Sequence, residues 1–142
     1  MGRPRKIDSE LRHGRRCVFA MHVHLIFVTK YRRNVFKKAH LEAMQLVPAN
    51  VCRDFEAERV EFNGEHDHVH LHVNYPPKVA VSTLVASLKG VSSRMLGQQF
   101  GDFHPWLKCR GVLWSPSYFA ASCGGAPIEI LRKYIEDQQS PH

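Results

Sequence analysis

No apolar run in this chain approaches the roughly 18 residues a membrane-crossing helix needs, so the sequence reads as having no membrane span. Its opening, Met1-Gly2-Arg3-Pro4-Arg5-Lys6, lacks the apolar stretch of a secretory signal, which makes the cytoplasm the expected location. Cysteine is sparse: Cys17, Cys52, Cys109 and Cys123 are far apart, with no Cys-x-x-Cys pair. They read as reduced, mostly buried thiols rather than as a zinc site or a disulfide framework. No segment repeats at solenoid spacing. Acidic residues are also in short supply, 13 against 20 Lys and Arg, for a net charge of +7. What remains is ordinary for one globular domain: 142 residues, 44% hydrophobic and 23% charged.

The surplus of positive charge is clustered. Residues 1–16 hold Arg3, Arg5, Lys6, Arg12, Arg15 and Arg16 against Asp8 and Glu10, and read as a flexible basic arm ahead of a single domain over 17–142. Lys30, Arg32, Arg33, Lys37 and Lys38 form a second group after the first apolar run. Clustered cations suit a polyanion, because neutralising phosphates releases counterions. A solvated basic surface has the same composition, so charge alone does not decide. Gly2-Arg3-Pro4-Arg5 resembles a minor-groove hook, but four residues carry little information.

Cys17 to Thr29 is rich in Val, Ile and Phe and reads as a long strand. A helical pattern runs from about Val35 to Glu58, with Pro48 set to break or kink it. Arg59–Asn63 and His66–Asn74 follow as strands about a turn at Gly64-Glu65, and Tyr75-Pro76-Pro77 stops the second. Leu84, Val85, Leu88, Val91, Met95 and Leu96 mark an amphipathic helix over Val81–Phe100. A loop with Gly101, Pro105 and Gly111 leads to a strand over Val112–Cys123, made irregular by Pro116 and ended by Gly124-Gly125. A last helix, with Pro127 and Glu129 in its first turn, runs to about Gln139. This order predicts an α+β fold, a ferredoxin-like or RRM-like βαββαβ antiparallel sheet with an added C-terminal helix. Two helices cover one face and the other is open to ligand.

Glu65-His66-Asp67-His68-Val69-His70-Leu71-His72-Val73 alternates strictly. On a strand His66, His68, His70 and His72 share one face, roughly 7 Å apart from Cα to Cα, while Val69, Leu71 and Val73 face the core. Two neighbouring imidazoles at that spacing can converge on a metal ion. In the last helix Tyr134 and Gln138 share a face. Gln138 offers a carbonyl oxygen, a hard ligand suited to Mg2+ or Mn2+. Tyr134 offers a phenol, a nucleophile once assisted. It is also in step with Ile130, where a tyrosine commonly packs into a core.

Five stretches occur in series: His24-Leu25-Ile26-Phe27-Val28-Thr29-Lys30-Tyr31-Arg32-Arg33, Asp67-His68-Val69-His70-Leu71, Ser87-Leu88-Lys89-Gly90 with Ser92-Ser93-Arg94, Leu113-Trp114-Ser115-Pro116-Ser117-Tyr118-Phe119, and Tyr134-Ile135-Glu136-x-Gln138. Together they resemble the single-tyrosine HUH transposases of the smallest bacterial insertion sequences. The resemblance spans about residues 17–139. It implies His68 and His70 as metal ligands with Gln138 as the third, and Tyr134 as nucleophile. It also implies cleavage and rejoining of single-stranded DNA through a 5′-phosphotyrosine, with Mg2+ or Mn2+ as cofactor. Hairpins near element ends are the implied ligands, and a homodimer in which the terminal helix of one subunit completes the other's site is the implied assembly. Lys30, Arg32, Arg33, Lys89 and Arg94 are candidate phosphate contacts. Trp114, Tyr118 and Phe119 read either as base-stacking platforms or as buried strand aromatics.

His22-Val23-His24 is a second His-x-His, on a strand expected beside the first motif, and reads as flanking the metal site or facing DNA. His72 stands where the resemblance implies an aliphatic residue, and it too is a candidate neighbour of the metal. Two alternatives belong to other classes. One is a domesticated, repeat-associated tyrosine nuclease. The other is a non-catalytic binder of single-stranded nucleic acid, which would want exposed aromatics where this sheet carries histidines. A zinc hydrolase would want a His-x-His-x-Asp-His series, which is absent.

Overall fold

The computed structural model describes residues 12–13, 18–19, 21–100, 113–122 and 128–138. In chain order the elements are β1 (Arg12–His13), β2 (Val18–Phe19), β3 (His22–Val28), a 3-10 turn (Lys30–Arg32), α1 (Lys38–Met44), α2 (Leu46–Asp54), β4 (Glu58–Gly64), β5 (His68–Asn74), α3 (Val81–Gln99), β6 (Phe119–Ser122) and α4 (Ile128–Asp137). Most of the expected arm, the loop through Gly101, Pro105 and Gly111, Gly124-Gly125, Pro127, and Cys17, Cys109 and Cys123 lie outside the described residues.

The main sheet is antiparallel, in the order β4-β5-β3-β6. With α1 and α2 between β3 and β4, and α3 between β5 and β6, this is the anticipated βαββαβ layout with a helix appended. Its core is built by alternation. Val23, Leu25 and Phe27 of β3 and Val69, Leu71 and Val73 of β5 are buried on one face, in one cluster with Met44, Val51, Leu84 and Leu88 from the helices. Trp114 closes that cluster near Phe27 and Phe36, and its Nε1–H donates to Ser92 Oγ at 2.9 Å, so a polar residue is accommodated inside α3.

Several boundaries differ from the sequence reading, each for a physical reason. The long first strand is divided. β5 ends at Asn74, opposite His22, ahead of the two prolines, and beyond that pair a single backbone bond, from the Tyr75 N–H to the Met21 carbonyl at 3.0 Å, closes the pairing. Val18–Phe19 pairs instead with Arg12–His13. Arg12, in the stretch read as an arm, stacks on Phe19 and donates to the carbonyls of Glu56 (2.8 Å) and Asn74 (3.1 Å). The expected helix over 35–58 breaks between α1 and α2, at Gln45. Pro48 causes that break from within α2, because its ring opposes the carbonyl four residues back, at Met44, where α1 stops. Of the strand expected over 112–123, the described residues 113–122 form a single bridge, Trp114 to Thr29, then β6, with Pro116 between them contributing no N–H. His66 is not on the histidine face, because β5 begins only at His68. The His66 carbonyl instead accepts from the backbone N–H groups of Val35 and Phe36 at 2.9 Å each.

Candidate active site

Directly paired residues in an antiparallel sheet point to the same face, so the register reads out the polar side of this one. His68 is paired with Val28, His70 with Ile26, His72 with His24, and Asn74 with His22. Across β3, Ile26 is also paired with Phe119 and His24 with Ala121. Across β5, His70 is paired with Asn63 and His72 with Glu61. One row therefore runs Phe119–Ile26–His70–Asn63, and the next Ala121–His24–His72–Glu61. A third row is set by the backbone N–H of Ser115, which donates to the Val28 carbonyl at 2.7 Å, placing Ser115–Val28–His68 in line.

The terminal helix meets the same rows. Ser115 Oγ donates to Gln138 Oε1 at 2.6 Å. The Phe119 and Tyr134 rings lie 5.6 Å apart, and Tyr134 Oη shares a 2.9 Å hydrogen bond with Ser117 Oγ. Gln138 thus belongs to the row of His68 and Tyr134 to the row of His70. Four residues of helix advance about 6 Å and two residues of strand about 6.6 Å, so the periods nearly match. Row-mates on β6 and β5 are separated by two strand spacings, roughly 10 Å of backbone. The histidine face is not uniformly open, since Ile26 and Val28, which divide the two halves, are buried. Among the described residues neither Tyr134 nor Gln138 hydrogen-bonds to His68 or His70, and no three His, Cys, Asp or Glu side chains converge as a ligand set.

Each histidine of β3 and β5 has a defined partner. His68 Nδ1 lies 2.7 Å from Asp67 Oδ1. Burial raises the carboxyl pKa of Asp67, but hydrogen bonds from His68 and Arg32 outweigh it and hold the group below its ordinary value. An ionised carboxylate only accepts, so Nδ1–H of His68 is the donor and Nε2 is the nitrogen left facing away from Asp67, the arrangement usual in metal-ligating histidines. His70 is pushed toward the neutral form first by burial and then by His24, whose Nδ1 is 3.0 Å from His70 Nε2. His72 is lowered in the same way, by burial and then by His24 and His22, with His22 Nδ1 2.9 Å from His72 Nε2. Neutral imidazoles are ligands and imidazolium ions are not.

The predicted site residues thus form two groups, His68 and His70 on β5, and Tyr134 on α4 with Gln138 directly after its last residue, both on one face of the sheet. The chemistry of the donor set fits a hard divalent ion in part. His68 Nε2 is prepared, His70 is held neutral, and the Gln138 carbonyl already accepts from Ser115 and from Ser117 (3.3 Å). His22, His24 and His72 pair within the sheet beside them. The candidate phosphate contacts divide. Arg32 Nε donates to Asp67 Oδ2 at 2.8 Å, in a turn where Tyr31 and Arg32 both adopt positive φ. Lys89 Nζ donates to the carbonyls of Ser115 and Ser117. Lys30 and Arg33 lie over the Tyr31 ring, and Arg94 is exposed. Trp114 is buried, while Tyr118 and Phe119 are half-buried.

Asp67, Ser115 and Ser117 are the residues to which sequence reasoning assigned no role. The available signal was an acidic residue directly before His68 and two short hydroxyl residues on either side of Pro116.

The site is an antiparallel βαββαβ sheet with paired histidines on one face and a tyrosine-bearing helix on the same face, and comparison with known proteins gives the family. Residues 17–138 match the family described as "Transposase IS200 like", and the chain belongs to it. The transposase for insertion sequence element IS200 from Salmonella typhimurium is 32% identical over 115 residues, 81% of this chain and 74% of that protein. The ISDra2 transposase TnpA from Deinococcus radiodurans is 30% identical over 135 residues, 93% of this chain and 94% of the relative. A crystal structure from Deinococcus radiodurans R1, assigned as a transposase, superimposes with a TM-score of 0.77 at 28% identity, covering 91% of this chain and 98% of its own. A REP-associated tyrosine transposase bound to a REP hairpin shares the fold, with a TM-score of 0.55 at 13% identity, covering 88% and 68%. The chain is an enzyme of the transposase class acting on DNA. Among the described residues no helix is long and apolar enough to cross a membrane.

Proposed function

We propose that this transposase cleaves and rejoins single-stranded DNA at insertion-sequence ends, with Tyr134 as nucleophile and His68, His70 and Gln138 holding Mg2+ or Mn2+. The observation that carries this reading is the register match. Tyr134 and Gln138 are attached, through Phe119 and Ser115, to the strand rows of His70 and His68.

In the proposed step the Tyr134 oxygen bonds to phosphorus and the bond from phosphorus to the 3′ oxygen breaks. The products are a 5′-phosphotyrosyl link and a 3′-hydroxyl that takes up a proton. Burial raises the Tyr134 pKa against a smaller opposing effect of Ser117, so the phenol enters the reaction protonated and must lose its proton during attack. Ser117 Oγ holds the oxygen through that step. A bound divalent ion would polarise the phosphate and stabilise charge developing on its oxygens. Asp67 keeps His68 in its ligating tautomer, and the reaction is reversible because the phosphodiester energy is conserved in the covalent link. Hairpins near the element ends are the proposed ligands, two copies exchanging α4 the proposed assembly, and the cytoplasm the proposed location.

The test uses labelled single-stranded oligonucleotides covering both strands of the DNA that flanks the gene, with Mg2+, on a denaturing gel. A metal-dependent protein–DNA adduct on one strand supports the reading. Cleavage by water without an adduct, or equal cleavage of duplex DNA, contradicts it.

A further inference from the structure

Lys89 is the one candidate phosphate contact whose ammonium is turned into the protein. Its Nζ donates to the carbonyls of Ser115 and Ser117, at 2.8 Å each, and lies over the faces of Phe27 (5.6 Å) and Tyr118 (5.8 Å). Two of its three N–H groups are thereby directed at backbone acceptors. Among the described residues it has no carboxylate partner, so the protein groups that meet its charge are carbonyl dipoles and ring faces. Burial lowers its pKa to about 8, the cost expected of a cation withdrawn from water.

The backbone it grips carries two functional hydroxyls. Ser115 Oγ holds Gln138, and Ser117 Oγ holds Tyr134. Pro116 between them donates no hydrogen bond, and Phe119 is the first residue of β6, so the sheet ladder does not fix Ser117. Lys89 does, from α3 on the opposite side of the sheet. We infer that Lys89 is a positioning residue: it clamps the Ser115–Ser117 turn so that the two serines keep Gln138 and Tyr134 on the rows of His68 and His70. This rests on the proposed roles of Tyr134 and Gln138.

The test compares the full-length protein with Lys89→Met, which keeps the stem and removes the donors, and Lys89→Arg, which keeps a donor. Adduct formation should slow by about 10- to 100-fold in Lys89→Met, the range typical of lost positioning partners, and recover in part in Lys89→Arg. Hairpin affinity and its salt dependence should not move. A salt slope reduced by about one would make Lys89 a phosphate contact and overturn the inference. So would an unchanged adduct rate. Lys89→Met combined with Ser117→Ala should cost less than the product of the two single effects, and full multiplicativity would contradict a shared clamp. If Lys89→Met does not fold, Ser117→Ala in an otherwise intact chain carries the same expectation of slowed adduct and unchanged binding.

A readout without DNA separates this inference from the function it rests on. With 3-fluorotyrosine in place of Tyr134, the fluorine resonance should shift between the parent and Lys89→Met proteins. A shift in a protein that forms no adduct keeps the clamp and rejects the nucleophile assignment. An unshifted resonance rejects the clamp whatever the adduct shows.

Discussion

His68 Nδ1 donates to Asp67 Oδ1 at 2.7 Å, and through that bond a buried carboxylate sets which nitrogen of His68 faces outward. Arg32 holds the other oxygen of the same carboxylate. Replacing Asp67 by Asn removes the charge that both partners use. Divalent affinity should fall by about 10- to 100-fold, read by titrating Mn2+ against cleavage rate. Stability should fall by about 1.5–3 kcal/mol, the worth of hydrogen bonds to a charged group, read by urea melts.

The lowered pKa values of His70 and His72 have a stability consequence with a definite sign. Unfolding returns each imidazole to an ordinary pKa near 6.5, so the unfolded chain binds more protons below that value. Stability from these groups is present above about pH 6.5 and is lost as pH falls through their folded-state values. His72→Leu should flatten the fall of melting temperature as pH drops below about 6.5 in metal-free buffer, relative to the parent. An equally steep profile would assign the acid sensitivity elsewhere.

Exchange of α4 between copies has its own test. Tyr134→Phe subunits retain the histidines, and His68→Ala subunits retain the tyrosine. Mixed after co-refolding, they should recover adduct formation that neither shows alone. If only unmixed wild-type protein reacts, each subunit uses its own helix, as the Ser115 and Ser117 contacts within one chain allow.

Leu71 lies at the centre of β5 and is 1% exposed, on the face turned away from the histidines. Leu71→Ala should cost about 2–5 kcal/mol, read by denaturant melts. Gln138→Ala, on the part-buried tip of α4, should leave the melt almost unchanged while raising the metal concentration needed for cleavage.

Much of this was legible in the chain because strand alternation is a local signal. Val69, Leu71 and Val73 against His68, His70 and His72 identify a two-faced strand, and Leu84, Leu88 and Leu96 a one-faced helix, without any knowledge of neighbours. The pairing of His24 with His72 was not legible, because it depends on the register between residues 48 positions apart. Nor was the burial of Ile26 and Val28, which break the polar pattern of their face at the point where it meets the Ser115 segment. Pro48 was visible as a breaker, but its effect falls at Met44 and Gln45, one turn upstream, since the clash is with the carbonyl four residues back. Arg32 and Lys89 look like any surface cation in sequence. Only the fold shows that one holds Asp67 and the other holds two serine carbonyls.

The most direct test of the central claim is to digest the DNA adduct with protease and nuclease and locate the nucleotide by mass spectrometry. The account predicts one modified peptide, containing Tyr134 and carrying a 5′-linked nucleotide, absent from Tyr134→Phe protein that still binds DNA. A nucleotide on Tyr31, Tyr75 or Tyr118, or an adduct that persists in Tyr134→Phe, would contradict it.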